Sequence, residues 1–276
     1  MAYRVTAAAV AAGLAATAAC DGTACEDKDS KVPTGVFSPR LFDHTILKPE
    51  ATVADVDKVC DEALEHGFYS VCVNSSFVGH VAERLRGSDV KVCAVVGFPL
   101  GAMMTAAKVV EAQMAMSAGA LEIDMVANIG MLRSGDYNGY RQDIEAIAQV
   151  CKAHRAKLKV ILETCLLTEE EKNIAARLAL SGGADFLKTS TGFSTGGATT
   201  KDVELLSGMA HRYFATRLNE RGQKKVTNAY CKASGGIRSG ATALQMLEAG
   251  ADRLGTSGTV KVYEEAKELL SQKKGE

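Results

Sequence analysis

Residues 158–190 read LKVILETCLLTEEEKNIAARLALSGGADFLKTS, and this stretch decides the fold class. Apolar, strand-like runs at 158–164 and 185–190 flank a segment whose apolar residues recur with helical periodicity. Thr168 predicts the start of that helix, because a glutamate follows it at the spacing of a capping box, and Gly182 predicts its end. The stretch is therefore predicted to form a strand, a helix and a second strand parallel to the first.

The same unit recurs along the chain on both sides of this stretch. Strand-like runs are predicted at eight places: 41–47, 70–74, 91–97, 122–126, 158–164, 185–190, 229–234 and 253–257. Helical stretches are predicted between them, at 53–66, 105–118, 137–154, 169–181, 200–219 and 241–249. The polar stretch 219–228 is predicted to be a solvated loop or a helix extension. Strand–helix units of about 29 residues favour an α/β fold with a single closed (β/α)8 TIM barrel, because an open Rossmann sheet would usually show a glycine-rich dinucleotide fingerprint.

Residues 1–38 differ in composition from the rest of the chain. Val5–Cys20 is uncharged and dominated by alanine, and a polar segment follows it. This run is too short and too weakly apolar for a membrane span, while a secretory signal with small residues near a cleavage point stays open as an alternative. We expect residues 1–38 to be a poorly ordered N-terminal extension without a chemical role, and residues 39–276 to form one barrel domain.

Composition excludes several classes of protein. Hydrophobic residues make up 47% of the chain and charged residues 24%, as in globular domains. A net charge of −1, the lack of tryptophan and only 5% aromatic residues disfavour nucleic acid and membrane surfaces as partners. The eight cysteines contain no C-x-x-C pair and no zinc-type spacing with histidine, so we expect buried, reduced thiols, no metal and a cytoplasmic protein.

Three charged residues lie inside predicted apolar strands: Asp124, Lys188 and Lys232. Side chains alternate between the two faces of a strand, so each of these residues can point into the barrel while its apolar neighbours pack against helices. Charges nearer the strand starts are expected to reach solvent: Lys91, Lys157 and Lys159. Because a buried charge is costly unless it is paired, the inward-facing charges indicate either a structural ion-pair network or a catalytic site.

The catalytic alternative has a chemical basis. A lysine with the ordinary pKa of about 10.4 is almost fully protonated near neutral pH and cannot attack a carbonyl group. Burial and a neighbouring positive charge both favour the neutral amine, which can form an imine and withdraw electrons from a carbon–carbon bond. A nearby carboxylate, here Asp124, would move protons through a water molecule.

Glycine-containing turns follow the last two predicted strands. The sequence GGIR at 235–238 comes after the seventh strand, and GTSG at 255–258 ends the eighth, just before a short helical segment. In (β/α)8 barrels these two loops and a helix N-terminus form the usual phosphate pocket. The sequence therefore predicts a phosphate-binding site at these turns.

Seven segments together carry a family resemblance: DHTILKP from Asp43, SVCVNSSFV from Ser70, KVCAVVGFPLG from Lys91, EIDMVANIG from Glu122, ETCLL from Glu163, DFLKTSTGF from Asp185 and KASGGIR from Lys232. With these motifs, residues 41–262 resemble the class I deoxyribose-phosphate aldolases. The resemblance implies a carbon–carbon lyase that reversibly cleaves 2-deoxy-D-ribose 5-phosphate to acetaldehyde and D-glyceraldehyde 3-phosphate in deoxyribonucleotide catabolism. It also implies catalysis through a lysine imine, without a metal or other cofactor.

The same resemblance implies roles for individual residues. Lys188 would be the Schiff-base lysine, Lys232 the lysine that perturbs it, and Asp124 the carboxylate that transfers protons. Further positions would surround the substrate: Asp43, Thr45, Leu47, Cys72, Thr191, Gly192, Gly235, Gly236, Thr256 and Ser257. Two alternatives stay open, namely another Schiff-base lyase with a different phosphosugar and an inactive barrel that binds phosphosugars or a protein partner. A homodimer or higher homo-oligomer is compatible with either.

The chain departs from the family pattern at three places. Phe193 stands where some relatives have a lysine, Gly258 stands where some have a second serine, and the C-terminal KKGE lacks the tyrosine with which some relatives end. We expect these differences to affect phosphate affinity and proton exchange, and to leave the chemistry of the lysine intact.

Overall fold

The computed structural model describes residues 37–218 and 224–274. These residues form ten strands: β1 (Phe42–Ile46), β2 (Ser70–Val73), β3 (Lys91–Val96), β4 (Glu122–Val126), β5 (Lys157–Ile161), β6 (Phe186–Lys188), β7 (Phe214–Leu218), β8 (Lys224–Asn228), β9 (Tyr230–Ser234) and β10 (Arg253–Thr256). They also form nine α-helices: α1 (Val53–His66), α2 (Val78–Arg84), α3 (Thr105–Ser117), α4 (Ile129–Arg133), α5 (Tyr137–Ala153), α6 (Glu169–Ser181), α7 (Thr200–Ala210), α8 (Gly240–Glu248) and α9 (Thr259–Lys274). Short 3₁₀ turns lie at Pro39–Leu41, Ser75–Phe77 and Thr164–Leu166.

Eight of these strands close into one barrel, in the order β1-β10-β9-β6-β5-β4-β3-β2. β1 pairs in parallel with β10 on one side and with β2 on the other, so this sheet has no free edge. Helices connect successive strands of the barrel, and the apolar side chains of the strands are buried. The predicted (β/α)8 barrel is confirmed, and each predicted barrel strand lies within a few residues of an observed one.

One helix prediction was wrong. A single helix was predicted over 200–219, but α7 ends at Ala210 and the chain continues into an antiparallel hairpin formed by β7 and β8. Thr216 and Val226 face each other in the register of this hairpin, and β-branched residues of this type favour strands over helices. The polar stretch 219–228, predicted as a loop or helix extension, contains β8, while residues 219–223 lie outside the described part of the chain.

Threonine caps begin two of the helices, and one of these caps, Thr168, was predicted from the sequence. Thr52 and Thr168 each form a complete capping box, which begins α1 and α6 respectively. Gly67 follows α1 in the left-handed conformation, with φ +70°. The two capping boxes determine where α1 and α6 start, and so they set the lengths of the loops after β1 and β5.

Predictions about the whole chain are tested only within the described residues. Residues 1–36 lie outside them, so the predicted extension of residues 1–38 and the domain boundary after it stay predictions. The six cysteines of the described part are free, and all but Cys165 are buried. No helix in the described ranges combines the length and the apolar character needed to cross a membrane.

Candidate active site

The structure brings together the three charges that were predicted to face the barrel interior. Lys188 on β6 and Lys232 on β9 are register partners on neighbouring strands. Their Nζ atoms lie 2.7 and 2.8 Å from the same oxygen of Asp124, Oδ2. All three side chains are buried. Two lysines and one carboxylate, from three different strands, therefore meet at one point inside the barrel.

Lys159 on β5 is a fourth member of this cluster, and its predicted exposure to solvent was wrong. The side chain is fully buried, with Nζ 2.8 Å from Asp124 Oδ1 and 2.5 Å from Glu122 Oε2. Lys157, two residues earlier, is 54% exposed, as predicted. Lys159 lies further along the same strand face, opposite Asp124 in the register of β4 and β5. Its central place in an apolar strand was the signal that could have identified it.

Asp43 on β1 closes the other side of the cluster. Its Oδ2 lies 2.5 Å from Lys232 Nζ, and its Oδ1 accepts hydrogen bonds from Arg253 (2.8 Å) and from the Ser70 hydroxyl (2.7 Å). Arg253 was not among the predicted site residues, because a charge at the first position of a strand is usually solvated. Asp43 was predicted to lie around the substrate, and the structure places it in the buried network that supports Lys232.

Gly255 on β10 makes space for the Lys232 side chain. A Cβ built on Gly255 would lie 2.9 Å from Lys232 Cε and 3.2 Å from Ser234 Cβ, which is closer than such atoms normally pack. Gly255 is also the register partner of Ser234 on β9. The sequence placed this glycine in a phosphate-binding turn, whereas the structure shows that it also borders the charge cluster.

The buried charges determine one another's protonation. Burial alone would raise the pKa of Asp124, but three neighbouring lysines, led by Lys159, hold it well below its usual range. Burial alone would lower the pKa of Lys232, but Asp124 and Asp43 raise it above its ordinary value. The same opposing effects raise the pKa of Lys159 and lower the pKa of Asp43. These four groups are therefore charged at neutral pH.

The charge cluster around Asp124 holds one more basic group than acidic groups. Three carboxylates face four basic side chains, all at most 3% exposed: Asp43, Glu122, Asp124, Lys159, Lys188, Lys232 and Arg253. An unbalanced charge is costly away from water. The cluster is neutral as a whole when Lys188, the least buried of the basic groups, is an uncharged amine.

Cys72 on β2 and Cys93 on β3 lie beside Asp124, with one ligand atom from each within 4.8 Å of the others. A metal ion fits this set poorly, because Asp124 Oδ1 already accepts hydrogen bonds from Cys93 Sγ (3.1 Å) and Lys159 Nζ (2.8 Å). Burial raises the pKa of the Cys93 thiol well above its usual range, so this thiol keeps its proton. The surrounding basic side chains also oppose a cation. The grouping was invisible to sequence spacing because three separate strands supply it.

Apolar side chains line one side of this region: Leu47, Cys72, Cys93 and Val95, with Phe98 packed against them. Leu47 and Cys72 are thus neighbours, and their places around the substrate stay a prediction. The ring of Phe193 meets the ring of Phe98 edge to face, with centroids 5.2 Å apart. Thr45, predicted to contact substrate, is half-buried, and its hydroxyl donates to the Asp43 backbone carbonyl at 2.9 Å. Phe193 therefore extends this apolar wall.

The two turns predicted to bind phosphate lie at the carboxyl ends of β9 and β10, and the turn after β6 lies beside the first of them. Gly192 and Gly235 have positive φ values of +83° and +85°, and a Cβ built on Gly192 would lie 3.6 Å from Gly235 Cα. Thr256 donates its hydroxyl to a backbone carbonyl of the loop after β9 (2.8 Å). Within residues 37–218 and 224–274, the amides of Gly192, Gly236 and Ser257 have no hydrogen-bond acceptor. Free amides beside the N-terminus of α9 suit a bound anion.

Hydroxyl groups lie in the loops that follow β5 and β6. Thr191, predicted to bind substrate, is buried and donates its hydroxyl to Glu163. The hydroxyl oxygens of Thr164 and Ser190 are buried and find no hydrogen-bond partner in the part of the chain that the structure describes. Buried polar groups are normally paired, so a polar ligand would satisfy these two. Thr164 and Ser190 were not among the predicted site residues, because a serine or threonine in a loop carries no specific sequence signal.

Comparison with known proteins shows similarity to aldolases. A model of the DeoC/LacD family aldolases matches residues 37–261. A deoxyribose-phosphate aldolase of Brevibacillus brevis is 51% identical over 229 residues, which cover 83% of this chain and 96% of the relative. One from Carboxydothermus hydrogenoformans is 49% identical over 227 residues, which cover 82% of this chain and 93% of the relative. The structure of deoxyribose phosphate aldolase from Aeropyrum pernix, described as a unique tetramer, has 34% identity and a TM-score of 0.73, over 84% of this chain and 93% of that one.

Proposed function

The chain belongs to the DeoC/LacD family of aldolases, and on this premise we propose that it reversibly cleaves 2-deoxy-D-ribose 5-phosphate to acetaldehyde and D-glyceraldehyde 3-phosphate. It is a carbon–carbon lyase of the class I type, which works through a lysine imine. The observation that carries the proposal is the contact of Lys188 and Lys232 with one oxygen of Asp124 inside the barrel. Two relatives of matching length bear the name of this activity.

Lys188 is the proposed nucleophile. As an uncharged amine it attacks the C1 aldehyde carbon of the open-chain sugar, and the resulting carbinolamine loses water to give an iminium ion. Lys159 and Lys232 stay protonated, because the buried carboxylates raise their pKa values against the effect of burial. Lys188 is therefore the lysine of the cluster that is free to react.

Asp124 is the proposed proton carrier. The C3 hydroxyl proton passes through a water molecule to Asp124, the C2–C3 bond breaks, and its electron pair moves to the iminium nitrogen to form an enamine. D-glyceraldehyde 3-phosphate then leaves, C2 takes up a proton, and hydrolysis releases acetaldehyde and free Lys188. Burial would raise the pKa of Asp124, but the surrounding lysines lower it by more. A low pKa suits a carboxylate that accepts a proton only briefly and then returns it.

The substrate phosphate is proposed to bind at the turns after β6, β9 and β10. The amides of Gly192, Gly236 and Ser257 would donate hydrogen bonds to its oxygens. The buried hydroxyls of Thr164 and Ser190 would bond the hydroxyl groups of the sugar, since they lack partners among the described residues. The apolar wall around Leu47, Cys72 and Phe98 would pack against the substrate carbon chain and shield it from bulk water.

The proposal includes three properties beyond the chemistry itself. No metal or other cofactor takes part, because the iminium nitrogen withdraws the electrons. EDTA should therefore leave turnover unchanged, and strong inhibition would contradict this part. The chain assembles into a homo-oligomer, supported by the tetramer described for the A. pernix protein, and light scattering measures its mass. It acts in the cytoplasm in deoxyribonucleotide catabolism, where buried thiols stay reduced.

Acetaldehyde and sodium borohydride provide the direct test. Reduction of the imine should add a two-carbon group to one lysine, and peptide mass mapping should locate it on Lys188. Before it is treated with borohydride, the same enzyme preparation should release acetaldehyde from deoxyribose 5-phosphate. Lys201, which is 78% exposed on α7, serves as the control lysine and should stay unmodified. An adduct mainly on Lys232 or Lys201, or no release of acetaldehyde, would contradict the proposal.

A further inference from the structure

Glu163 lies just beyond the carboxyl end of β5 in an unusual backbone conformation. Its φ and ψ are +52° and +62°, in the left-handed region that residues other than glycine rarely adopt. Its side chain is almost fully buried, so a carboxylate is also kept away from water. Such strain persists only where the surrounding structure enforces it, and it clusters at functional sites.

The Glu163 carboxylate binds Thr191 in the loop after β6. The Thr191 amide donates to Oε1 at 3.3 Å and to Oε2 at 3.4 Å, and the Thr191 hydroxyl donates to Oε2. That hydroxyl in turn accepts a hydrogen bond from the Phe193 amide at 3.0 Å. One side chain therefore restrains the whole turn 191–193, which begins three residues after Lys188.

The turn 191–193 forms one wall of the proposed phosphate pocket, because Gly192 packs against Gly235. A shift of this turn would move the unpaired amide of Gly192 away from the amide of Gly236. We propose that Glu163 is a positioning residue, which holds the turn 191–193 in the geometry that binds the substrate phosphate and so sets the preference for the phosphorylated sugar. This inference rests on the proposed function.

The charge of Glu163 cannot serve this purpose by itself, because a carboxylate near the pocket repels a phosphate dianion. Its contribution is geometric, and two substitutions separate geometry from charge. Glu163→Asp keeps the charge and shortens the side chain by one methylene group, and aspartate adopts the left-handed backbone more readily than glutamate. Glu163→Gln keeps the length and one oxygen acceptor but removes the charge.

Steady-state kinetics on deoxyribose 5-phosphate and on deoxyribose measure the effect. Glu163→Asp should raise KM for the phosphorylated sugar about tenfold, as expected from a weakened charge-assisted contact. Its kcat, and kcat/KM for deoxyribose, should stay within about twofold. Glu163→Gln should raise KM less, because its oxygen still accepts from the Thr191 amide. Glu170→Asp, an exposed change on α6, is the matched control and should alter neither sugar.

Isothermal titration with inorganic phosphate separates this inference from the proposed reaction. Weaker phosphate binding by Glu163→Asp than by the unchanged protein supports the positioning role, even if neither sugar is cleaved. Borohydride labelling of Lys188 in the presence of acetaldehyde checks that the variant barrel is folded. Equal losses on both sugars, a fall in kcat at constant KM, or unchanged phosphate binding would overturn the positioning role.

Discussion

Replacing Lys232 with methionine tests the electrostatic basis of the site. Methionine keeps most of the side-chain volume but removes a charge that lies 2.5 Å from Asp43 and 2.8 Å from Asp124. The buried cations then equal the buried carboxylates in number, so charge balance requires Lys188 to keep its proton. A protonated lysine cannot attack an aldehyde. Turnover should therefore fall by about 10²–10³-fold, or about 3–4 kcal/mol of transition-state stabilisation.

The same substitution should leave the barrel folded. Removing one member of a buried ion pair typically destabilises a protein by about 3–5 kcal/mol. Asp124 retains Lys159 and Lys188 as partners, and Asp43 retains Arg253. We therefore expect a loss near the lower end, about 3 kcal/mol in the free energy of unfolding by urea.

The assay follows release of D-glyceraldehyde 3-phosphate over a range of pH. Because imine formation needs an uncharged amine, turnover of the Lys232→Met variant should rise more steeply with pH than that of the unchanged protein. Lys201→Met removes the same charge from an exposed position on α7 and should change turnover by less than about twofold. Turnover near the unchanged level at neutral pH, or an identical pH profile, would refute the charge-balance reasoning.

Ser257→Glu should lower the ratio of kcat/KM for deoxyribose 5-phosphate to that for deoxyribose by roughly 100-fold, because the new carboxylate repels the phosphate. An unchanged ratio would place the phosphate elsewhere. Burial would raise the pKa of Asp43, but the attraction of Lys232 and Arg253 outweighs burial and lowers it. The ionised side chain therefore stabilises the fold above its unfolded pKa of about 3.9, and this stabilisation is lost as the pH falls below that value. Asp43→Asn should therefore lose less urea stability than the unchanged protein between about pH 5 and pH 3, and equal losses would speak against this. Lys159→Met removes a cation from the same cluster and a donor from Asp124 Oδ1, so kcat should fall about tenfold or more and imine labelling of Lys188 should weaken as well. Normal kcat would show that Lys159 is dispensable.

The recurrence of strand–helix units was enough to predict the barrel. Alternation along single strands was enough to predict that Asp124, Lys188 and Lys232 face its interior. It could not predict how deeply a charge near a strand start is buried. The burial of Arg253 depends on the register between neighbouring strands, which no local pattern encodes. The central place of Lys159 in an apolar strand was a usable signal that was not given enough weight. Of the buried charge network, Lys159 and Arg253 were therefore missing from the residues predicted from the sequence.

Contacts between distant segments were equally hidden. Cys72, Cys93 and Asp124 come from three strands, and their grouping follows from the pairing of β2 with β3 and of β3 with β4. Glu163 and Thr191 were both within recognised motifs, yet their contact depends on a left-handed residue that no composition rule predicts. The hairpin after α7 was missed because amphipathic spacing beyond Ala210 fitted a helix, although β-branched residues there favour strands.

The lack of a side chain at Gly255 affects two properties that protein engineers usually treat separately: the fit of the substrate and the reactivity of the lysine amine. A library that enlarges residue 255 to tighten the pocket would place a Cβ 2.9 Å from Lys232 Cε and push its ammonium group away from Asp124. Variants selected for a smaller substrate would then lose catalytic activity, so any improvement in substrate fit could not be detected. Libraries that keep glycine at 255 and vary the apolar wall instead, at Leu47 or Phe193, allow the two properties to be optimised independently.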